Sequence, residues 1–270
     1  MNFPYVCCDY RNRIRGDVMK LVRKAAFASL AAAALILAGG AHAQEKTGNK
    51  PGFTLAPGSA KIVLMRPSIQ VGEQSTGGLA EPNADWTAQA REYLSKAIAG
   101  TQGQLGNSVA DYAEPVGDQA ALTAEYQALF AAVANSVIEF QFFPGNRLPT
   151  KKRANSFEWT LGKDIGQLPG LAGADYALFI TTNDQYGSTG RKMLQIFAAM
   201  GGVGVTSGVH VGFAGLVDLR TGDLVWLNAD LQMGGDVRTE DGAQRRVAQL
   251  FEGFPGRPAA VTSIAATAAR

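Results

Sequence analysis

The chain has 270 residues, 46% of them hydrophobic, with 25 Lys and Arg against 23 Asp and Glu. Six of the basic and two of the acidic residues fall in the first 43 positions, so the 227 residues from Gln44 onward carry 19 positive and 21 negative charges, a net −2. With no basic excess, nucleic acid is excluded as an expected partner, because phosphate neutralisation supplies most of that binding. Both cysteines, Cys7 and Cys8, also lie in the first part, so disulfides, thiol nucleophiles and thiolate metal sites are excluded from Gln44 onward.

The first signal in chain order is MKLVRKAAFASLAAAALILAGGAHAQ, Met19 to Gln44, where Lys20, Arg23 and Lys24 precede an apolar run and Ala-His-Ala precedes Gln44. This is the three-part secretory signal, with cleavage expected after Ala43. Its apolar core, Ala25 to Ala38, is about 14 residues against the ~20 that a membrane span needs. Residues 1–18, with Arg11, Arg13 and Arg15, read as an extension upstream of the true start at Met19. Gly40 in LAGG stands where a lipoprotein signal carries its acylated cysteine. A periplasmic protein without a lipid anchor is therefore expected.

Residues 44–60, rich in Gly, Pro, Lys and Thr, read as a flexible tether. A single domain is expected over 61–254. KIVLMRP, Lys61 to Pro67, is a short apolar run bounded by turn residues and predicts a buried strand, followed by SIQVGEQSTGGLAEPN as loop. Asp85 is placed to cap a helix with Trp86, Ala90, Leu94, Ala97 and Ile98 on one face, ending at Gly100. A weaker strand falls within Gln104 to Tyr112. Asp118 opens the longest helix, with Leu122, Tyr126, Leu129, Phe130, Val133 and Val137 as its stripe, stopped by Pro144-Gly145. Lys151, Lys152 and Arg153 then form a basic cluster, read as solvated loop.

ADYALFITTND, Ala174 to Asp184, is the clearest interior strand. Met193, Leu194, Phe197, Ala198 and Met200 suit a short helix ended by Gly201-Gly202. Val205, Val209, Val211, Phe213 and Val217 then share one face at period two, and RTGD, Arg220 to Asp223, turns the chain back into LVWLNADLQM as an antiparallel hairpin. Thr239 and Glu240 start a last helix with Ala243, Val247, Leu250 and Phe251 inward, and 255–270 reads as a disordered tail. Early crossovers favour parallel neighbours and the hairpin adds an antiparallel part. The fold class expected is α/β (α+β): one mixed sheet flanked by helices.

GADYALFI, Gly173 to Ile180, together with LVDLRTGDLVW, Leu216 to Trp226, resembles the signatures of an envelope α/β superfamily that includes the curli-secretion lipoprotein, the lipoprotein activators of penicillin-binding proteins and the amino-terminal domain of TolB. KIVLMRP occupies the place of that superfamily's opening strand. The resemblance implies a mostly non-catalytic protein that binds other envelope proteins or assembles into rings. This chain departs from it in lacking the acylated cysteine and in the stretch Asp184 to Gly204, which has no counterpart there.

YGSTGRK, Tyr186 to Lys192, carries glycines, hydroxyls and cations between a strand and a helix, the parts of a phosphate loop. The spacing fails: two residues rather than four separate Gly187 from Gly190, and Met193 rather than Ser or Thr follows Lys192. The loop is read as a hydroxyl-capped helix start, with Ser188, Thr189, Gly190, Arg191 and Lys192 as candidates for contact with an anion or an acidic group of a partner. His210 is the sole histidine after Gln44, so any histidine-based acid, base or metal site must use it. No GxSxG or HExxH occurs, and Asp218 and Asp230 are explained by turns and strand ends. Trp86, Trp159 and Trp226 are expected as core anchors. No catalytic residue, cofactor or metal is assigned. The sequence favours a non-enzymatic binding or assembly protein of the periplasm, with envelope proteins as partners. The alternative is a hydrolase or anion-binding enzyme built on the 184–192 loop and His210.

Overall fold

The computed structural model describes residues 45–143 and 156–257. The expected signal segment, the basic cluster Lys151 to Arg153 and residues 258–270 of the expected tail lie outside the described residues. One mixed, unclosed sheet of nine strands runs β1 (Glu45–Asn49), β9 (Asp223–Asp230), β8 (Val209–Asp218), β7 (Tyr176–Gly187), β2 (Lys61–Leu64), β5 (Ser108–Asp111), with β3 (Ser68–Gln74), β4 (Ala80–Pro82) and β6 (Trp159–Thr160) attached off this path. Four α-helices flank it.

The apolar run Lys61–Leu64 forms β2, parallel to β5 (Ser108–Asp111) on one side and to β7 (Tyr176–Gly187) on the other. After Arg66-Pro67 the chain re-enters the sheet as β3 (Ser68–Gln74), again parallel to β7, and turns into β4 (Ala80–Pro82). This segment was expected to be loop. Its strand character rests on Ile69 and Val71, which alternate with exposed Ser68 and Gln70, too short a pattern to stand out among Gln, Gly and Ser.

Helix α1 (Ala84–Gln102) starts at Asn83, whose carboxamide oxygen accepts from Trp86 N–H at 2.9 Å. The expected cap Asp85 lies instead in the first turn, where its charge complements the helix dipole. Ala90, Leu94 and Ile98 are buried as the spacing requires. In α2 (Asp118–Val137) the buried stripe is Thr123, Phe130, Ala134 and Val137, whereas the anticipated Leu122 and Leu129 are each 41% exposed. The inward face is thus turned by about one residue, because Phe130 must meet Phe179 of β7, ring centroids 4.5 Å apart.

Strand β7 is buried on both faces. Leu178 and Ile180 join a core with α1 and with α4 (Glu240–Leu250), while Ala177 and Phe179 join a second core with α2. Strands β8 (Val209–Asp218) and β9 (Asp223–Asp230) form the expected hairpin, β8 pairing antiparallel with β7. At its turn Gly222 has φ +75°, and a Cβ there would stand 2.1 Å from the Gly162 carbonyl oxygen, so no other residue fits. Asp218 accepts from Arg220 N–H at 2.8 Å, the turn role the sequence assigned it.

Within the stretch read as tether, Glu45–Asn49 forms β1, antiparallel to β9 from Asp230 to Trp226. The short strand β6 (Trp159–Thr160) pairs with Leu224 and Asp223, so β9 has neighbours along its whole outer edge. Such pairing depends on backbone groups rather than on side-chain pattern, which is why a Gly- and Lys-rich stretch gives it no sequence signal.

Candidate functional site

On the face of β7 that carries Leu178 and Ile180, the alternation continues through Thr182, Asp184 and Tyr186. The strand keeps its period of two while its chemistry changes from apolar to polar towards its carboxyl end. Asp184 is fully buried and meets Arg246 of α4, also fully buried. The guanidinium forks onto the carboxylate, Nη1 donating to Oδ2 and Nη2 to Oδ1, both at 2.7 Å. The other Arg246 donors reach Thr182 Oγ1 at 2.7 Å and the carbonyls of Gly234 and Gly235 at 3.1 and 3.2 Å. Asp184 also accepts from Thr182 Oγ1 at 2.8 Å and pairs with His210 Nδ1 at 2.8 Å. Every guanidinium N–H and both carboxylate oxygens are therefore satisfied, the condition under which a buried ion pair is tolerated. Burial pushes the Asp184 carboxyl up, but the hydrogen bonds from His210 and Arg246 outweigh it and hold it below the ordinary carboxylate range.

A second polar layer closes over the first. The His210 ring packs on Tyr186, centroids 4.8 Å apart, and Arg238 lies over Tyr186 at 3.6 Å and over Trp86 at 4.5 Å. Arg238 forks onto Asp236, with Nε to Oδ1 at 2.9 Å and Nη2 to Oδ2 at 2.7 Å. That fork holds the Asp236 carboxyl at about 2 against a partial desolvation. Burial, followed by the nearby Asp184 charge, pushes the Tyr186 phenol well above its usual value, and its oxygen accepts from Val237 N–H at 3.1 Å. The 234–237 loop lies tight against the start of α4: Gly235 has φ +83°, and a Cβ there would stand 2.3 Å from the Gly242 carbonyl oxygen.

Beyond this cluster the chain leaves the sheet at Gly187, forms α3 (Thr189–Met200) and returns at Val209. Ser188 caps α3 as expected, accepting from Arg191 N–H at 3.1 Å. Gly190 lies against Thr76, where a Cβ would stand 2.3 Å from its hydroxyl oxygen. Arg191 is turned inward: Nε donates to Thr206 O at 2.9 Å and Nη1 to Thr76 O at 3.4 Å. Gln74 ties both ends, its carbonyl accepting from Ser188 N–H at 2.9 Å and its side chain from Gly208 N–H at 3.0 Å. Thr189 and Lys192 face solvent. Of the anticipated contact residues, Ser188, Gly190 and Arg191 thus build the root of the helix. His210 faces Asp184 and Tyr186, while Arg191 faces Thr76 and Thr206.

Arg246 carries no mark in the sequence reading, yet a signal was present. It sits between Ala243, Val247 and Leu250 on the inward stripe of α4, where an arginine needs a buried partner. Among the described residues no group of three or more His, Cys, Asp or Glu side chains is placed to hold a metal ion. A cleft of about 390 Å³ lies apart from the cluster, between the β2–β3 bend and helices α1 and α2, and is lined by Arg66, Gln70, Arg91, Glu114 and Gln127 among others.

The sequence matches no protein-family model and no curated protein. Among solved structures it is similar to the PelC dodecamer of Paraburkholderia phytofirmans, at 14% identity and a TM-score of 0.33, covering 80% of this chain and all of that one. A variant of that dodecamer gives 15% identity and a TM-score of 0.32, covering 79% of this chain and all of that one. A DUF4136 family protein from Bacteroides thetaiotaomicron gives 8% and 0.29, covering 78% of this chain and 97% of that one. Scores this low carry neither fold nor role across to this chain.

Proposed function

We propose that this chain is a secreted, non-enzymatic binding or assembly protein of the bacterial cell envelope, working in the periplasm through protein contacts and sharing the superfamily fold that GADYALFI and LVDLRTGDLVW suggest. One observation carries the reading. A helix with no buried residue projects from a polar root held by Ser188, Gly190 and Arg191, with Thr189 and Lys192 facing solvent. The Asp184–Arg246 knot fixes the ends of β7 and β8, so the loop between them is presented from a rigid platform. Lys192, an exposed point charge beside a capped helix start, suits an acidic group of a partner.

The test is capture from envelope extracts on immobilised secreted protein. A partner retained by the wild type and lost with Lys192→Glu, at unchanged thermal midpoint, supports the reading. Equal retention by the variant removes the root of α3 from the binding surface. The enzyme alternative is favoured by one feature, the Asp184–His210 hydrogen bond at 2.8 Å, which orients the imidazole as a general base would need. Hydrolysis of simple esters or phosphate esters that His210→Ala abolishes would establish it in place of the binding role.

A further inference from the structure

We propose that α3 seats its outward apolar face on the surface of an anionic lipid bilayer. At about 100° per residue, Ile196, Met200, Met193, Phe197 and Leu194 fall in one continuous arc of roughly 160°. Arg191, Gln195, Ala198 and Ala199 occupy the opposite arc, with Lys192 at its border. In a surface helix of a globular domain the apolar arc turns to the core. Here it turns to solvent: Phe197 is 62% exposed, Ile196 54%, Met200 80%, and Val203 just beyond the helix 59%. The helix is held at its root through Ser188, Gly190 and Arg191, so the arc projects beyond the sheet.

Charge selects the occupant. From Gln185 to Val217 there is no Asp or Glu, and Arg191 and Lys192 give this excursion a net +2 within a chain of net −2 from Gln44 onward. Two copies meeting through α3 would bring two such excursions together, like charge on like. Lipid supplies both complements at once, acyl chains for the apolar arc and headgroup phosphates for Lys192 at its border, while Arg191 stays turned inward onto Thr76 and Thr206 and adds only to the local positive potential. A single helix of 12 residues gives reversible rather than permanent attachment. This surface is the outer arc of the helix; it shares only Lys192 with the contact assigned to a protein partner and does not rest on that assignment.

The test is flotation of the purified secreted chain, with no partner present, on vesicles of phosphatidylglycerol mixed with phosphatidylethanolamine and on vesicles of phosphatidylcholine alone. The expected result is co-flotation with the anionic vesicles, weakened by salt, and reduced about tenfold or more in Phe197→Glu, whose exposed position leaves the thermal midpoint unchanged. Equal flotation on phosphatidylcholine overturns the anionic selection, and unchanged flotation of Phe197→Glu overturns the role of the arc. No flotation, together with a concentration-dependent increase in sedimentation coefficient that Phe197→Glu abolishes, assigns the arc to a second copy and overturns the proposal. No flotation from a chain that stays monomeric also overturns it. Partner capture that depends on Lys192 is unaffected by any of these outcomes.

Discussion

Asp184 is the residue on which most of the polar chemistry converges, and the stability effects of the cluster follow from what each neighbour loses without it. Asp184→Ala leaves Arg246 buried and unpaired and is expected to cost about 3–5 kcal/mol. Arg246→Met combined with Asp184→Ala removes both charges and should recover part of that loss, since a well-packed apolar pair avoids the desolvation of two ions. His210→Ala deletes one charge-assisted bond to a carboxylate still held by Arg246, and about 1.5–3 kcal/mol is expected. Denaturant midpoints of the wild type, Asp184→Ala, Arg246→Met and the double variant close the cycle that gives the Asp184–Arg246 coupling. Acid dependence has a definite sign. The carboxyls of Asp184 and Asp236 are both held below the ordinary value, the latter at about 2. Their contribution is present above the unfolded carboxylate pKa of about 3.9 and is lost as pH falls through the folded values. Asp236→Asn should therefore flatten the loss of stability between about pH 4 and 2, read as thermal midpoint against pH. An unchanged slope would place the acid sensitivity elsewhere.

At the scale of elements, β9 carries the largest fully buried side chain among the described residues, and α3 is the helix with no buried residue. Trp226 is fully buried, pairs in register with Leu216 of β8 and sets its ring 5.1 Å from Phe254 at a near-perpendicular angle. Trp226→Ala is expected to cost about 3–5 kcal/mol, and an unchanged denaturant midpoint would contradict its place in the core. Arg191 sets a different kind of expectation. Its guanidinium bridges the 75–79 turn and the chain returning to β8, so Arg191→Ala should speed amide hydrogen exchange across 188–208. The global midpoint should move by no more than about 0.5 kcal/mol, because the rest of the sheet does not depend on that bridge. Exchange unchanged in this segment would mean that Gln74 and the Ser188 cap hold the root unaided. Binding of ATP with Mg²⁺ should give no thermal shift, since the root offers neither the longer loop nor a hydroxyl after Lys192.

Taken as a whole molecule, the domain depends on β1 to finish its sheet. Glu45–Asn49 covers β9 from Trp226 to Asp230, and Lys50 reaches Asp223 at 2.6 Å. Removing residues 44–50 should expose that edge and promote association, measurable as a rise in sedimentation coefficient with concentration. A truncated chain that stays monomeric would show that the edge is protected by its own residues. Secretion makes a separate prediction at this scale: the periplasmic form should begin at Gln44 and carry no acyl group. An intact mass that retains residues 19–43, or that includes a lipid, would contradict it.

The sequence by itself determined the elements whose signal is local. The apolar runs Lys61–Leu64 and Tyr176–Ile180, the caps Ser188 and Thr239, and the turn from Arg220 to Asp223 depend on neighbours a few residues away, where side-chain periodicity and backbone preference act directly. The His210 placement opposite Val211 and Phe213 was legible for the same reason, since a strand alternates its faces. Only the tertiary structure decided that Asp184 meets Arg246 across 62 residues, that Ile69 and Val71 make a strand, and that 45–49 closes the sheet edge. It also decided the direction of α3. Periodicity defines an apolar arc but not what the arc faces, because that depends on where the ends of β7 and β8 release the chain.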